Sequence, residues 1–329
     1  MPQPPKGLNL DQFRKPGATP AATSAAGVGK TGILPAVVSK ERRVQAILAN
    51  IDSLPSLPSV VMEVIQMANN PKSNANDFES SIRKDQALTA RMLKLVNSSF
   101  YGLNSKINTI GRSVVVLGMK TLKSVVLAAS TSKLLDRHLE VYHYKRGGLW
   151  IHSLSCAFTA RHIATKYLKL NAEDAEELFV GGLLHDIGKI VIAPVLIENQ
   201  QEWTGYCSNH PDALLPEAET AVAGIDHASA GSRLMGKWQL SERLISILEN
   251  HHDLPVADAS GLHNNCIQLA DQLCIQMGMG LKEPYPWKND IHPALIEYLH
   301  FSQESWGTVQ SEVTALMKEM QPIFESMRS

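Results

Sequence analysis

From about residue 41 onward the apolar residues of this chain recur at helical spacing almost without a break, and no alternating run marks a strand. A chain patterned in this way must bury helix against helix. "LPSVVMEVIQMAN" opens with Pro58, suited to a first helical position, and spaces Val60, Val61, Val64 and Ile65 along one face. "NDFESSIRKD" begins with Asn76 and carries Glu79 three residues on, the pattern of a capping box. "ALTARMLKLVNSSFYG" repeats the amphipathic rhythm, and "TIGRSVVVLG" and "LKSVVLAASTSKLL" follow it. The expectation is an all-α chain of stacked helices with short connections.

Four parts follow from composition and pattern. Residues 1–40 are rich in Pro, Gly, Ala, Ser and Thr and read as a flexible tail, because they cannot bury enough apolar surface to offset their ordering entropy. "GVGKTG" in that tail lacks the spacing of a phosphate loop. Residues 41–140 form a first helical part, 141–280 a second, and 281–329 hold two closing helices.

A formal net charge of −1 leaves no basic footprint, which disfavours nucleic acid as a partner. The most apolar candidate span, "VVVLGMKTLKSVVLAA", is interrupted by Lys120 and Lys123, and the N-terminus lacks a hydrophobic signal core. The four cysteines, Cys156, Cys207, Cys266 and Cys274, have no paired metal spacing and read as free thiols. Together these features predict a cytoplasmic protein with no membrane partner.

The chemistry is concentrated in the second half. "GGLLHDIGKI" sets His185 beside Asp186 at the end of an apolar helix, with Lys189 shortly after. His152 lies in "LWIHSLSCAF", His227 opens "DHASAG", His251 and His252 end a helix, and Asp271 sits among apolar neighbours in "IQLADQLC". Each alone has a plain structural explanation, such as a core histidine or a charge complementing a helix end. A carboxylate on a buried face is harder to dismiss, since it needs a partner or a metal. Together, these imidazoles and two carboxylates form the mixed N/O set that suits one or two divalent transition-metal ions: Fe, Mn, Zn, Ni or Co. Adjacent residues do not share a face of a regular helix, so the helix is expected to end at His185–Asp186, with Gly188 allowing the turn.

The order His152, His185–Asp186, His227, His251–His252, Asp271 resembles the HD superfamily of metal-dependent phosphohydrolases. "LPSLPSVVMEVIQMANNP", "IRKDQALTARMLKLVNSSFYG", "INTIGRSVVVLGMKTLKSVVLA" and "GGLLHDIGKIVI" are similar to the HDOD family within it, over about residues 45–275. That resemblance implies two packed helical subdomains, the second an HD-type helical core. It also implies a bacterial regulatory protein whose partners are signalling proteins. "HHDLPVADASG" departs from the Gly-Tyr-Pro stretch of the cyclic-dinucleotide branch, and Gly148, one turn before His152, offers no carboxylate for a third metal. Two functions are open. One is a regulatory scaffold stapled by metal, for which Phe100 and Tyr101 are a candidate exposed contact, though they read rather as core. The other is a phosphohydrolase acting on a phosphoester or nucleotide, with Asp186 bridging two ions and Lys189 contacting phosphate as catalytic residues. Arg161 and Arg233 are candidate phosphate contacts and read rather as helix-surface charges.

Overall fold

The computed structural model describes residues 39–257, 261–283 and 286–326; the 1–40 tail, apart from its last two residues, lies outside them. Its helices are α1 (Lys40–Ser53), α2 (Ser59–Ala68), α3 (Ala75–Ile82), α4 (Gln86–Val96) and α5 (Ile110–Leu135) in the N-terminal half. After a short irregular segment come α6 (Gly148–His162), α7 (Ala172–Leu184), α8 (Lys189–Glu198), α9 (Gln200–Asn209) and α10 (Leu215–Ala223). They are followed by α11 (His227–Lys237), α12 (Glu242–Glu249), α13 (Leu262–Gln276), α14 (Pro293–Tyr298) and α15 (Gln303–Ser326). No strand occurs among the described residues, only isolated bridges of Tyr144 with Leu139 and with Leu281. The all-α reading therefore holds.

Local signals place the boundaries, with small shifts from the sequence reading. Pro58 caps α2 from outside rather than opening it. The capping box of α3 is Asn74 with Asp77, two residues before the expected pair, because Asn74 is the residue that adopts the extended cap conformation. α5 breaks at Gly118, whose φ of 80° and ψ of 161° suit only glycine, so "TIGRSVVVLG" and "LKSVVLAASTSKLL" are two helical segments meeting at a kink.

α6 is the central helix. Every residue from Gly148 to Ala160 is buried, as expected of a helix that is apolar or small on all sides. α7 crosses it closely enough that a Cβ on Gly182 would lie 2.8 Å from the Ala157 nitrogen. α5 packs on α7 and joins the N-terminal helices to the second half, while α1 lies on α8, α10 and α11. At the start of α6, Gly148 meets Gly280: a Cβ on either would lie within 2.2 Å of the other's carbonyl oxygen. The stretches Ile110–Leu135 and Ala172–Glu198 have the length and apolarity to cross a membrane, yet 56% and 89% of their most apolar windows are buried inside the fold.

Candidate metal centre

α6 carries His152 into the centre of the molecule. α7, capped by the Asn171 side chain on the backbone N–H groups of Glu173 and Asp174, runs beside it and ends at Leu184. Beyond Leu184 the chain keeps helical dihedrals but tightens. The N–H groups of Ile187, Lys189 and Ile190 bond to carbonyls three residues back, at 3.0, 3.0 and 3.2 Å. That tight turn aims His185 and Asp186 at one centre. Gly188 does not supply the turn as expected, for its φ of −61° is open to any residue. Its role is clearance, since a Cβ there would lie 1.9 Å from the His227 carbonyl oxygen where α11 begins.

α11 starts with His227, its first turn capped by Asp226 accepting from Ser229 N–H at 2.7 Å. α12 delivers His251 and His252 just past its end, and α13 delivers Asp271. All seven residues expected as ligands therefore meet. His152, His185, His227 and His251 have no exposed surface, Asp186 and Asp271 are 1% and 3% exposed, and His252 is partly buried.

The donors fall into two groups that share Asp186. In the first, His152 Nε2 lies 3.0 Å from Asp271 Oδ1, 3.3 Å from His185 Nε2 and 3.4 Å from Asp186 Oδ2. His185 Nε2 lies 3.4 Å from Asp271 Oδ1 and 3.5 Å from Asp186 Oδ2. In the second, His227 Nε2 is 3.2 Å from Asp186 Oδ1 and 2.9 Å from His252 Nε2. His251 has its nitrogen within 4.8 Å of ligand atoms in both groups.

Two observations fit these residues to a cation. Ligand atoms about 2.1 Å from an ion, at angles between octahedral and tetrahedral, stand about 3.0–3.4 Å apart, the spacing seen here. Moreover, His251 Nε2 and Asp271 Oδ1 are buried without a hydrogen-bond partner, which is costly unless something else meets them. The histidine tautomers agree. His185 Nδ1 donates to the Gly182 carbonyl at 2.8 Å and His251 Nδ1 to the Leu248 carbonyl at 2.6 Å, so each Nε2 is left with its lone pair facing inward.

Charge at the two carboxylates and at the histidines that follow α12 is set in the same sense. Burial raises the cost of ionising Asp186, but Lys189, His185 and His227 hold its carboxyl well below the usual carboxylate range. Burial likewise opposes ionisation of Asp271, and His152 and His185 overcome it. Burial and the neighbouring His227 push His252 down to about 3, and burial with the surrounding imidazoles pushes His251 well down too. Ionised carboxylates and neutral imidazoles are the forms that ligate metals.

Several contributors were not legible in sequence. Glu219 Oε2 accepts His227 Nδ1–H at 2.6 Å, fixing that ring in the same way a carbonyl fixes His185. Against the effect of burial, its carboxylate and that of Asp186 raise His227 to about 9. Tyr142 donates to the other oxygen of Glu219 at 2.7 Å, and Tyr144 donates to Asp186 at 3.2 Å. Lys189, which the sequence does single out, is 2% exposed and sets its ammonium 2.6 Å from Asp186 Oδ2, beside the rings of Tyr142 and Tyr144. Cys156, one turn after His152, places its thiol 3.6 Å from His152 Nε2; the i, i+4 spacing was the available signal.

Arg161 departs from both of its readings. It is partly buried, pairs with Glu176 at 2.9 Å, and stacks over Phe100 and Tyr101, away from the donor cluster. Arg233 is exposed on α11, as a helix-surface charge. Phe100 packs on Phe158 with centroids 4.2 Å apart, which makes it a core contact. A cavity of about 850 Å³ lies elsewhere, between α2, α5, α7 and the α11–α12 connection, and none of the cage residues lines it.

An all-helical chain that buries histidines and aspartates from separate helices around one shared aspartate defines an HD-type protein. The chain belongs to the HDOD family: the HDOD domain family model matches residues 54–254, more than half its length. Asp271 lies beyond the matched stretch but within the site. A protein of Treponema pallidum (strain Nichols), itself uncharacterised, is 28% identical over 216 residues, 64% of this chain and 40% of that protein. The chain thus spans less than half the length of this curated relative. A solved structure from Shewanella amazonensis SB2B, provisionally named a phosphohydrolase, is 22% identical with a TM-score of 0.64, covering 86% of this chain and 97% of that one. Another from Marinobacter aquaeolei VT8, provisionally named a signal transduction protein, is 16% identical with a TM-score of 0.67, covering 91% and 68%. At these identities the likeness is one of fold.

Proposed function

We propose that this chain is a regulatory HDOD protein of the cytoplasm. On this reading it holds one or two divalent transition-metal ions (Fe, Mn, Zn, Ni or Co) and acts mainly by binding bacterial signalling proteins. The residues that would hold metal are His152, His185, Asp186, His227, His251, His252 and Asp271. The observation that carries the regulatory reading is burial: His152, His185, Asp186 and Lys189 are at most 2% exposed, and Lys189 is already spent on Asp186. A phosphoester must reach the ions to be cleaved, whereas a structural ion needs no such access. Free cysteines, three of them buried, support a reducing compartment.

Elemental analysis of protein purified without added metal is expected to find one or two equivalents. A folded protein free of metal overturns the ligand assignment.

The second reading is a metal-dependent phosphohydrolase, favoured by the completeness of the donor set and by the position of Asp186 between its two groups. The bound metal, held by Asp186 with the other donors, would supply Lewis-acid chemistry, while Lys189 would contact the phosphate or assist the leaving oxygen. Phosphodiesters and nucleotides assayed with Mn²⁺ or Fe²⁺ decide between the two. Turnover that disappears in Asp186→Ala establishes the enzyme, and its absence leaves the regulatory role.

A further inference from the structure

We infer that Cys156 is a further, sulfur ligand to the ion held by His152, His185, Asp186 and Asp271, an inference that rests on the reading of the cage as a metal site. His152 and Cys156 are one turn apart on α6, on the same face, and neither has exposed surface. Cys156 Sγ lies 3.6 Å from His152 Nε2 and 4.0 Å from Nδ1, so it is turned toward the end of the ring that faces the cage. One ligand atom from each of His152, Cys156, His185 and Asp271 lies within 4.8 Å of all the others. Asp271 Oδ1, 3.0 Å from His152 Nε2, has no hydrogen bond of its own and is aimed into this set.

The distances suit metal–ligand bonds of ordinary length at near-tetrahedral angles. Metal–sulfur and metal–nitrogen bonds of about 2.3 and 2.05 Å at the tetrahedral angle put S and N about 3.6 Å apart, and two such nitrogens about 3.3 Å apart. Those are the separations of Cys156 from His152 and of His152 from His185. Cys156 Sγ also faces the Ala270 carbonyl at 3.9 Å, a weak contact that a thiol makes and a thiolate gives up. On binding, the S–H bond breaks, its proton passes to bulk water and an S–metal bond forms, with no change of oxidation state. A thiolate moves the preference of the site toward Zn²⁺ and Fe²⁺ and away from Mn²⁺ and Mg²⁺.

The test is cobalt substitution of the full chain. Wild type and Cys274→Ser loaded with Co²⁺ are expected to show a near-ultraviolet sulfur-to-cobalt charge-transfer band, and Cys156→Ser is expected to lose it. In Zn²⁺/Mn²⁺ competition, Cys156→Ser is expected to lower the preference for zinc by about tenfold or more. Cobalt bound at full stoichiometry to wild type without the band overturns the sulfur ligand and leaves the histidine–aspartate site standing. No bound cobalt overturns both. A band that persists in Cys156→Ser also overturns the proposal, and Cys156→Ala takes its place if the serine variant does not fold.

Discussion

A single carboxylate oxygen of Glu219 accepts both the backbone N–H of His227, at 2.8 Å, and the Nδ1–H of the same residue, at 2.6 Å. The side chain thereby anchors the first residue of α11 and orients its ring with one atom. Partners of this kind raise ligand basicity and set the tautomer.

Glu219→Gln is therefore expected to weaken metal binding by about 10–100-fold while the helices remain folded. Competition against a chelator measures the first effect and circular dichroism the second. Tyr142→Phe, which removes only a donor to the far oxygen of Glu219, is expected to change affinity less.

Lys189 and Asp186 form a buried pair, and losing one partner of such a pair costs about 3–5 kcal/mol. Lys189→Met is expected to lose that much stability in chelator-treated protein and clearly less in metal-loaded protein, because a bound cation would also balance Asp186. Urea denaturation with and without chelator makes the comparison. Equal losses would mean that no ion shares the charge of Asp186.

Gly188 and Gly205 are both in helical conformation but differ in surroundings. Gly188→Ala must push the start of α11 away and is expected to cost about 3 kcal/mol. Gly205, in α9, has nothing within 4 Å of an added Cβ, and Gly205→Ala is expected to gain about 0.5–1 kcal/mol. Parallel denaturation curves test the pair.

α15 is tied to α6 and the turn after it through Glu312. This side chain accepts from Lys166, from Tyr167 at 2.8 Å and from His162 at 2.9 Å. Lys166 is the main cause that lowers its pKa from 4.5 to about 2. A carboxyl depressed on folding stabilises above its unfolded pKa, and that contribution fades as the pH falls. The difference in melting temperature between wild type and Glu312→Gln is thus expected to be constant above about pH 5 and to vanish between pH 4.5 and 2.

The seven cage residues were readable from the sequence because each sits at a helix end or on an apolar face, where its residue type has little other use. His185–Asp186 is the plainest case. The residues that orient them were not readable. Glu219 is eight positions before His227 on another helix, and Tyr142 and Tyr144 lie in an irregular segment with no period to follow. Gly188 illustrates a different limit. Sequence marks a glycine but not whether it serves a dihedral angle or a neighbour's approach, and here it is the neighbour. Arg161 was misjudged because its partners, Glu176 and the Phe100–Tyr101 pair, come from α7 and from the stretch after α4, distant in sequence.

The mutual contact of Gly148 and Gly280 constrains how this protein can change. A carboxylate at position 148, the place from which a further ligand would reach toward His152, cannot be introduced by one substitution, because the Gly280 carbonyl occupies the space its Cβ needs. The 278–280 loop would have to be rebuilt first. The order of mutational steps is therefore imposed by backbone against backbone, and variation at position 148 must wait on a segment more than a hundred residues away.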